Sequence, residues 1–372
     1  MNATRQLQDL GQSLWLDNIT RSLLDSGTLA RYMRDFAVTG LTSNPTIFEH
    51  AIGDSDAYDE AIRRQAGAGE SGEALFFGLA VEDLTRAADL FRPAFDASGG
   101  VDGWVSLEVS PLLADDSART TAAAAVLHAR AARPNLFIKI PGTPAGITAI
   151  EESIFAGVPI NVTLLFSRAQ YVAAAEAYLR GVERRIALGL DPRVACVASL
   201  FVSRWDVATH DTLPAPLRNR LGIAVARQTY RAYRELLASP RWRKLAAAGA
   251  RTQRLLWAST GTKDPAAPDT LYIEALAAPD TINTIPEKTL AAFADHGKVG
   301  PSMPEDGGDA DAVIADGRRA GFDDAALALE LQREGAAAFS KSWHELLSGI
   351  GAKSQALAAP AQGQRPLRAP AA

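Results

Sequence analysis

The chain is poor in the residues that redox, metal and membrane chemistry need. Among 372 residues there is one cysteine, Cys196, so no disulfide can form within the chain and a reducing, cytoplasmic setting is expected. No apolar run reaches the ~18 residues of a membrane-spanning helix. Residues 1–13 lack the basic segment and apolar run of a secretory leader, so none is expected. The five histidines (His50, His128, His210, His296, His344) are scattered without metal-ligand spacing, and one cysteine cannot build a zinc cage. No GxSxG elbow occurs, and the lone GxGxxG match, Gly67–Gly72, follows a helix-like rather than a strand-like run, which leaves a serine hydrolase or a dinucleotide enzyme without support. Lys and Arg total 38 against 43 Asp and Glu, a net charge of −5, which argues against nucleic-acid binding by bulk charge but leaves a local basic pocket open. No bound metal, nucleic acid or membrane partner is expected.

What is present is a globular composition, 47% hydrophobic and 22% charged, able to bury a sizeable core. Short, mostly apolar runs recur at Ser13–Asn18, Phe36–Asn44, Trp104–Ser110, Leu136–Pro141, Pro159–Leu165, Ala195–Val202, Arg254–Ser259 and Asp280–Pro286. They read as parallel strands buried on both faces. Helix-like sequence separates them. Ser167 followed by Gln170 is a capping box, opening a helix that Gly189 can close with a left-handed cap. Thr143-Pro144 places a cap before a proline at the first helical position. Ala122–Ala132 and Ile223–Leu237 also read as helices, and Glu49–Phe95 as two or three more. Trp205–Leu221 is expected to be a lid or surface loop, and Asp309–Lys353 a late amphipathic helical region.

Eight strands alternating with helices fit either a (β/α)8 TIM barrel or an open doubly wound sheet. Nearly every strand ends in a polar group: Asp17-Asn18, Thr42-Ser43-Asn44, Glu108, Lys139, Asn161 with Thr163, Ser199, Ser259 and Thr284. A barrel gathers all of these around one pocket, whereas an open sheet gathers only those near its switch point, so the barrel is favoured. Residues 1–353 are expected to form this single α/β domain with extra helices. Residues 354–372, rich in Ala, Pro, Gln and Arg, are expected to be a disordered tail.

On the strand Leu136–Pro141, Phe137 and Lys139 share one face while Ile138 and Ile140 share the other. Lys139 would then point inward, where apolar surroundings favour the neutral amine that attack on a carbonyl requires. A lysine paired with a carboxylate for structure is the competing reading. Asp17 and Glu108, enclosed by apolar neighbours, could complete an acid/base/nucleophile set or serve as structural partners. Asn161 and Thr163 point the same way from one strand and could position substrate or water. Arg204 and the Thr260–Lys263 segment follow late strands, a common place for a phosphate site in barrels.

Thr42-Ser43-Asn44-Pro45-Thr46, Phe137-Ile138-Lys139-Ile140-Pro141 and Asn161-Val162-Thr163-Leu164-Leu165-Phe166-Ser167, in that order, resemble the signature segments of transaldolases. The resemblance runs from about Ser13 to Pro286 and on into the C-terminal helices, and is to the longer, stand-alone bacterial form. It implies a barrel that moves a dihydroxyacetone unit from sedoheptulose 7-phosphate or fructose 6-phosphate to an aldose phosphate in the non-oxidative pentose phosphate pathway. It also implies that neither metal nor organic cofactor is used. Lys139 would form the Schiff base and Asp17 would take the donor hydroxyl proton. Glu108 would transfer protons with a water held by Thr163. Asn44, Asn161, Ser199 and Phe201 would meet the sugar, and Arg204 and Ser259 its phosphate. The family commonly carries an arginine two residues after the serine matching Ser259, and here that position is Gly261. Lys263 is the nearest cation able to replace it. A fructose-6-phosphate aldolase-like enzyme releasing free dihydroxyacetone, or a non-catalytic barrel scaffold, are the other readings, and a monomer or a homodimer would serve any of them.

Overall fold

The computed structural model describes residues 2–358. Among these, eight parallel strands close into a barrel in chain order: β1 Ser13–Leu16, β2 Val38–Leu41, β3 Val105–Glu108, β4 Leu136–Pro141, β5 Ile160–Leu165, β6 Cys196–Phe201, β7 Gln253–Ala258 and β8 Thr281–Ile285. β8 returns to pair with β1, so the sheet has no free edge. The (β/α)8 expectation holds and the open sheet is excluded.

Most strands are shorter than the apolar runs promised, by one to three residues at one or both ends, while β4 matches its run and β7 begins one residue earlier. Asp17, Thr42 and Val109 each donate one further ladder bond, to Ile285, Leu16 and Lys139, before the chain turns away. The polar residues that follow leave the ladder and face the barrel mouth. Helix starts follow local chemistry. The side chains of Asn44, Thr143 and Ser167 accept from the amides of Ile47, Gly146 and Gln170, capping the helices Pro45–Gly53, Pro144–Ala156 and Arg168–Ala187. Gly189 adopts a positive φ of 68° just past the last of these, as its place predicts. Gln170 completes the start of that helix by accepting from the Phe166 amide.

Three helices, Pro45–Gly53, Asp59–Gly67 and Gly72–Ala97, fill the second βα connection. One expectation needs correction and another gains detail. The segment after β6 is no loop at its start: Ser203–Thr209 is helical, and Trp205 is buried with its indole donating to the Phe166 carbonyl. The amphipathic pattern near the C-terminus resolves into two helices, Ala310–Arg319 and Asp324–Ala358. The second carries the fold five residues past the expected boundary at 353, and the remainder of the expected tail, 359–372, lies outside the described residues.

Candidate active site

Backbone register brings the first part of the site together. Glu108 on β3 stands beside Lys139 on β4, which stands beside Asn161 on β5. Inward-facing side chains at one level of neighbouring parallel strands form a layer of the barrel interior. Lys139 Nζ lies 3.0 Å from Glu108 Oε2 and donates to the Ser43 carbonyl at 3.0 Å. The two side chains are only 6% and 5% exposed. The inward face of β4 continues to Phe137, whose ring stacks on Trp104 at 4.0 Å, while Ile138 and Ile140 are buried on the outer face.

Asp17, just past β1, is partly open to the cavity it lines. Its Oδ1 accepts from the Thr42 hydroxyl at 2.8 Å, and Thr42 is 2.6 Å from the hydroxyl of Thr284, so a chain of hydroxyls from β8 and β2 fixes its orientation. Desolvation raises both carboxyls, Asp17 and Glu108, above their ordinary values, and the Lys139 cation opposes the rise in each. A carboxylate that is easier to protonate than in water is suited to shuttling protons near neutrality.

Asp17 and Lys139 border a cavity of about 290 Å³ at the carboxyl end of the barrel. Asp17, Asn44, Lys139, Thr163, Ser199, Phe201, Arg204, Ser259 and Lys263 all line it, drawn from six strands and their loops. Glu108 and Asn161 do not. Glu108 stands behind Lys139. Asn161 is fully buried, its amide nitrogen donating to Ser106 and its oxygen accepting from Ser199, so it orients Ser199 from beneath. Thr163 Oγ1 is buried with no hydrogen-bond partner among the described residues. Asn44 uses its oxygen on the helix cap, leaving its amide N–H groups for the cavity.

The basic side of the cavity is built from β6 and β7. Arg204 opens the helix after β6 and its guanidinium lies over the Phe201 ring at 5.6 Å. Burial pushes this guanidinium below its ordinary value, with Glu334 opposing. Ser259 adopts φ 55°, a left-handed conformation that costs a non-glycine residue ~1–3 kcal/mol and that clusters at functional sites. Its hydroxyl is 2.8 Å from that of Ser203. Gly261 also lines the cavity, and a β-carbon there would stand 3.8 Å from Lys263 Nζ. The ammonium thus lies in van der Waals contact with the point at which a side chain at position 261 would begin.

Sequence reasoning missed Phe339, which reaches the cavity from the helix Asp324–Ala358 and places its ring 5.6 Å from Lys139 Nζ. Two hundred residues separate it from the lysine, and its helical spacing signalled only that it is buried. It also missed Thr46 and His50 at the cavity wall. A second cavity, of about 280 Å³, opens at the opposite end of the barrel beside Trp104, Arg251 and Arg254, and none of the anticipated site residues lines it.

An enclosed lysine beside two carboxylates, at the mouth of a closed barrel with cations on one wall, defines the class of lysine-dependent barrels that can act on carbonyl compounds. Residues 14–350 match the model of the transaldolase/fructose-6-phosphate aldolase family. The chain is 46% identical to a transaldolase of Parafrankia sp. over 93% of its own length and 97% of that relative's. It is 44% identical to one of Thiobacillus denitrificans, covering 94% of this chain and all of the relative, and 45% identical to one of Saccharopolyspora erythraea, covering 92% and 95%. The chain belongs to the transaldolase/fructose-6-phosphate aldolase family.

Proposed function

We propose that this chain is a transaldolase: it takes a dihydroxyacetone unit from sedoheptulose 7-phosphate or fructose 6-phosphate and passes it to glyceraldehyde 3-phosphate or erythrose 4-phosphate. The observation that carries the reading is Lys139 Nζ at the floor of the cavity, 3.0 Å from Glu108, with Asp17 on the same wall.

The steps follow from this arrangement. Glu108 accepts a proton from the ammonium, and the free amine attacks the ketose carbonyl carbon. Glu108 returns that proton to the carbinolamine oxygen and relays a second one from the nitrogen, so the oxygen leaves as water and the C=N bond forms. The resulting iminium withdraws electrons, so Asp17 can take the proton of the donor's C4 hydroxyl while the C3–C4 bond breaks and its electron pair moves toward nitrogen. The aldose phosphate leaves and an enamine stays on Lys139. The enamine carbon attacks the acceptor aldehyde and Asp17 gives its proton to the new hydroxyl. Water then releases the product ketose by reversal of the first steps. Thr163, whose buried hydroxyl is unpartnered among the described residues, suits the holding of that water. Arg204, Ser259 and Lys263 suit the substrate phosphate, so that binding energy far from the reacting carbons aligns them. Ser199, Asn44 and Phe201 meet the sugar chain. A cytoplasmic setting is part of the proposal and rests on the lone, buried thiol of Cys196, which burial pushes up to about 12.

The test is borohydride reduction in the presence of fructose 6-phosphate, followed by mass mapping. The Lys139 peptide is expected to gain the mass of a reduced dihydroxyacetone adduct. An adduct on another lysine, or none under conditions of turnover, rejects the mechanism.

A further inference from the structure

We propose that Phe339 is a specificity-determining residue, whose ring keeps water from the lysine-bound three-carbon intermediate and thereby favours transfer over release of free dihydroxyacetone. The proposal rests on the Schiff-base reading above.

The helix Asp324–Ala358 crosses the barrel mouth and is fastened on both sides of Phe339. On one side Gln332 donates to the carbonyls of Gly142 and Leu164, both at 2.9 Å, at the ends of β4 and β5. Gly335 lets the helix come close: a β-carbon there would lie 2.9 Å from Leu164 Cδ2 and 3.2 Å from Arg204 Nη1. On the other side Ser342 meets Thr46 at 2.8 Å, and the Trp343 indole donates to Glu73 at 2.9 Å. Phe339 sits midway, 6% exposed, and is held over the lysine rather than left to swing.

Glu108 and Ser43 take up polar directions around Lys139 Nζ, and the Phe339 ring covers another with carbon. This matters at one branch point. The enamine can attack an acceptor aldehyde, which is transfer. Alternatively it gains a proton on carbon to give the dihydroxyacetone iminium. Water then adds to the iminium carbon, the C–N bond breaks, and free dihydroxyacetone and the lysine ammonium result. Both routes end with water at a C=N bond, but only release also needs water near the three-carbon enamine, to deliver its proton and then hydrolyse it, before an acceptor sugar has filled the site beside the nitrogen that the ring covers. A carbon surface there offers no hydrogen bond to such a water, so bulk at position 339 disfavours release. Opening that face therefore speeds loss of the three-carbon unit while no acceptor is bound, and leaves attack by a bound aldehyde unchanged.

The experiment measures, for each variant, the ratio of dihydroxyacetone released from fructose 6-phosphate to ketose formed with erythrose 4-phosphate. Phe339→Ala is expected to raise this ratio roughly tenfold, whereas Phe339→Leu, which keeps most of the carbon bulk, stays within about twofold of the wild type. Should Phe339→Ala not fold, Phe339→Val carries the same expectation of a rise. A purely structural role for Phe339 would slow both routes together and leave the ratio alone. An unchanged ratio in a folded Ala or Val variant overturns the proposal, as does an equal rise in Leu and Ala. If the wild type transfers and forms the Lys139 adduct while the ratio stays fixed, only the Phe339 proposal falls. If the wild type does neither, the Schiff-base reading falls and takes this proposal with it.

Discussion

Glu108 and Lys139 stand at matching positions on neighbouring strands and meet at 3.0 Å in a layer nearly closed to solvent. A buried ion pair of this kind is weak support for stability, since its desolvation offsets much of its attraction. In the proposed mechanism the partners also share the proton whose movement frees the amine. Removing the proton acceptor should therefore affect chemistry first. Glu108→Gln is expected to lower kcat by ~10²–10⁴-fold, the usual cost of losing a proton-transfer group. The rate at which borohydride traps the Lys139 adduct should fall with it. Normal trapping with a slow overall rate would move Glu108 out of imine formation.

Asp17 is predicted to act only while the C–C bond breaks or forms. Asp17→Asn should then reduce kcat far more than it raises KM, because a group used in the transition state contributes little to ground-state binding. The Lys139 adduct should still form in this variant, since imine formation precedes Asp17's step. A variant with near-normal kcat reassigns Asp17 to structure.

The raised Asp17 carboxyl also has a consequence for stability. A carboxyl raised in the folded state holds its proton more tightly there than in the unfolded chain. The relative stabilisation is full below the unfolded value, near 3.8, and is lost as pH rises through the higher folded value. At neutral pH the ionised group therefore weakens the fold, and Asp17→Asn, which carries no charge, should melt above the wild type. The difference in Tm should shrink as pH falls. A variant that melts lower at pH 8 and gains on the wild type in acid would contradict the sign.

Lys263 Nζ lies 3.8 Å from where a Gly261 β-carbon would stand, so one cation can be supplied from either position. Lys263→Met should lower kcat/KM for a phosphorylated acceptor by ~10–100-fold, the size of a charge-assisted contact, and leave an unphosphorylated analogue nearly unaffected. Gly261→Arg added to that variant should restore much of the loss. The position has room, since a β-carbon would meet Pro286 and Thr289 only at 3.4 and 3.5 Å, and Gly261 has no positive φ to strain a side chain. An equal effect on both acceptors, or no rescue, leaves the phosphate to Arg204 and Ser259.

Much of this protein was legible in order along the chain. Apolar runs of strand length, each ending in polar residues, implied a closed barrel with one ringed mouth. That inference holds because strand direction in a parallel barrel puts every carboxyl end on the same side. Side-chain alternation sent Lys139 inward with Phe137, and Ser167 and Thr143 announced their helices because a cap is a contact across three residues. Register was not legible. That Glu108 rather than Asp17 faces Lys139 at 3.0 Å, and that Asn161 lies under Ser199 rather than in the cavity, follow from how neighbouring strands slide against each other. Nor was the placing of Phe339 over the lysine, or of Lys263 in the space beside Gly261. A helical pattern says which side of Asp324–Ala358 is buried, but not what it is buried against. That is decided by the hydrogen bonds of Gln332 and Ser342 and by the close fit at Gly335, contacts between residues more than a hundred positions apart whose meeting depends on the folded barrel alone.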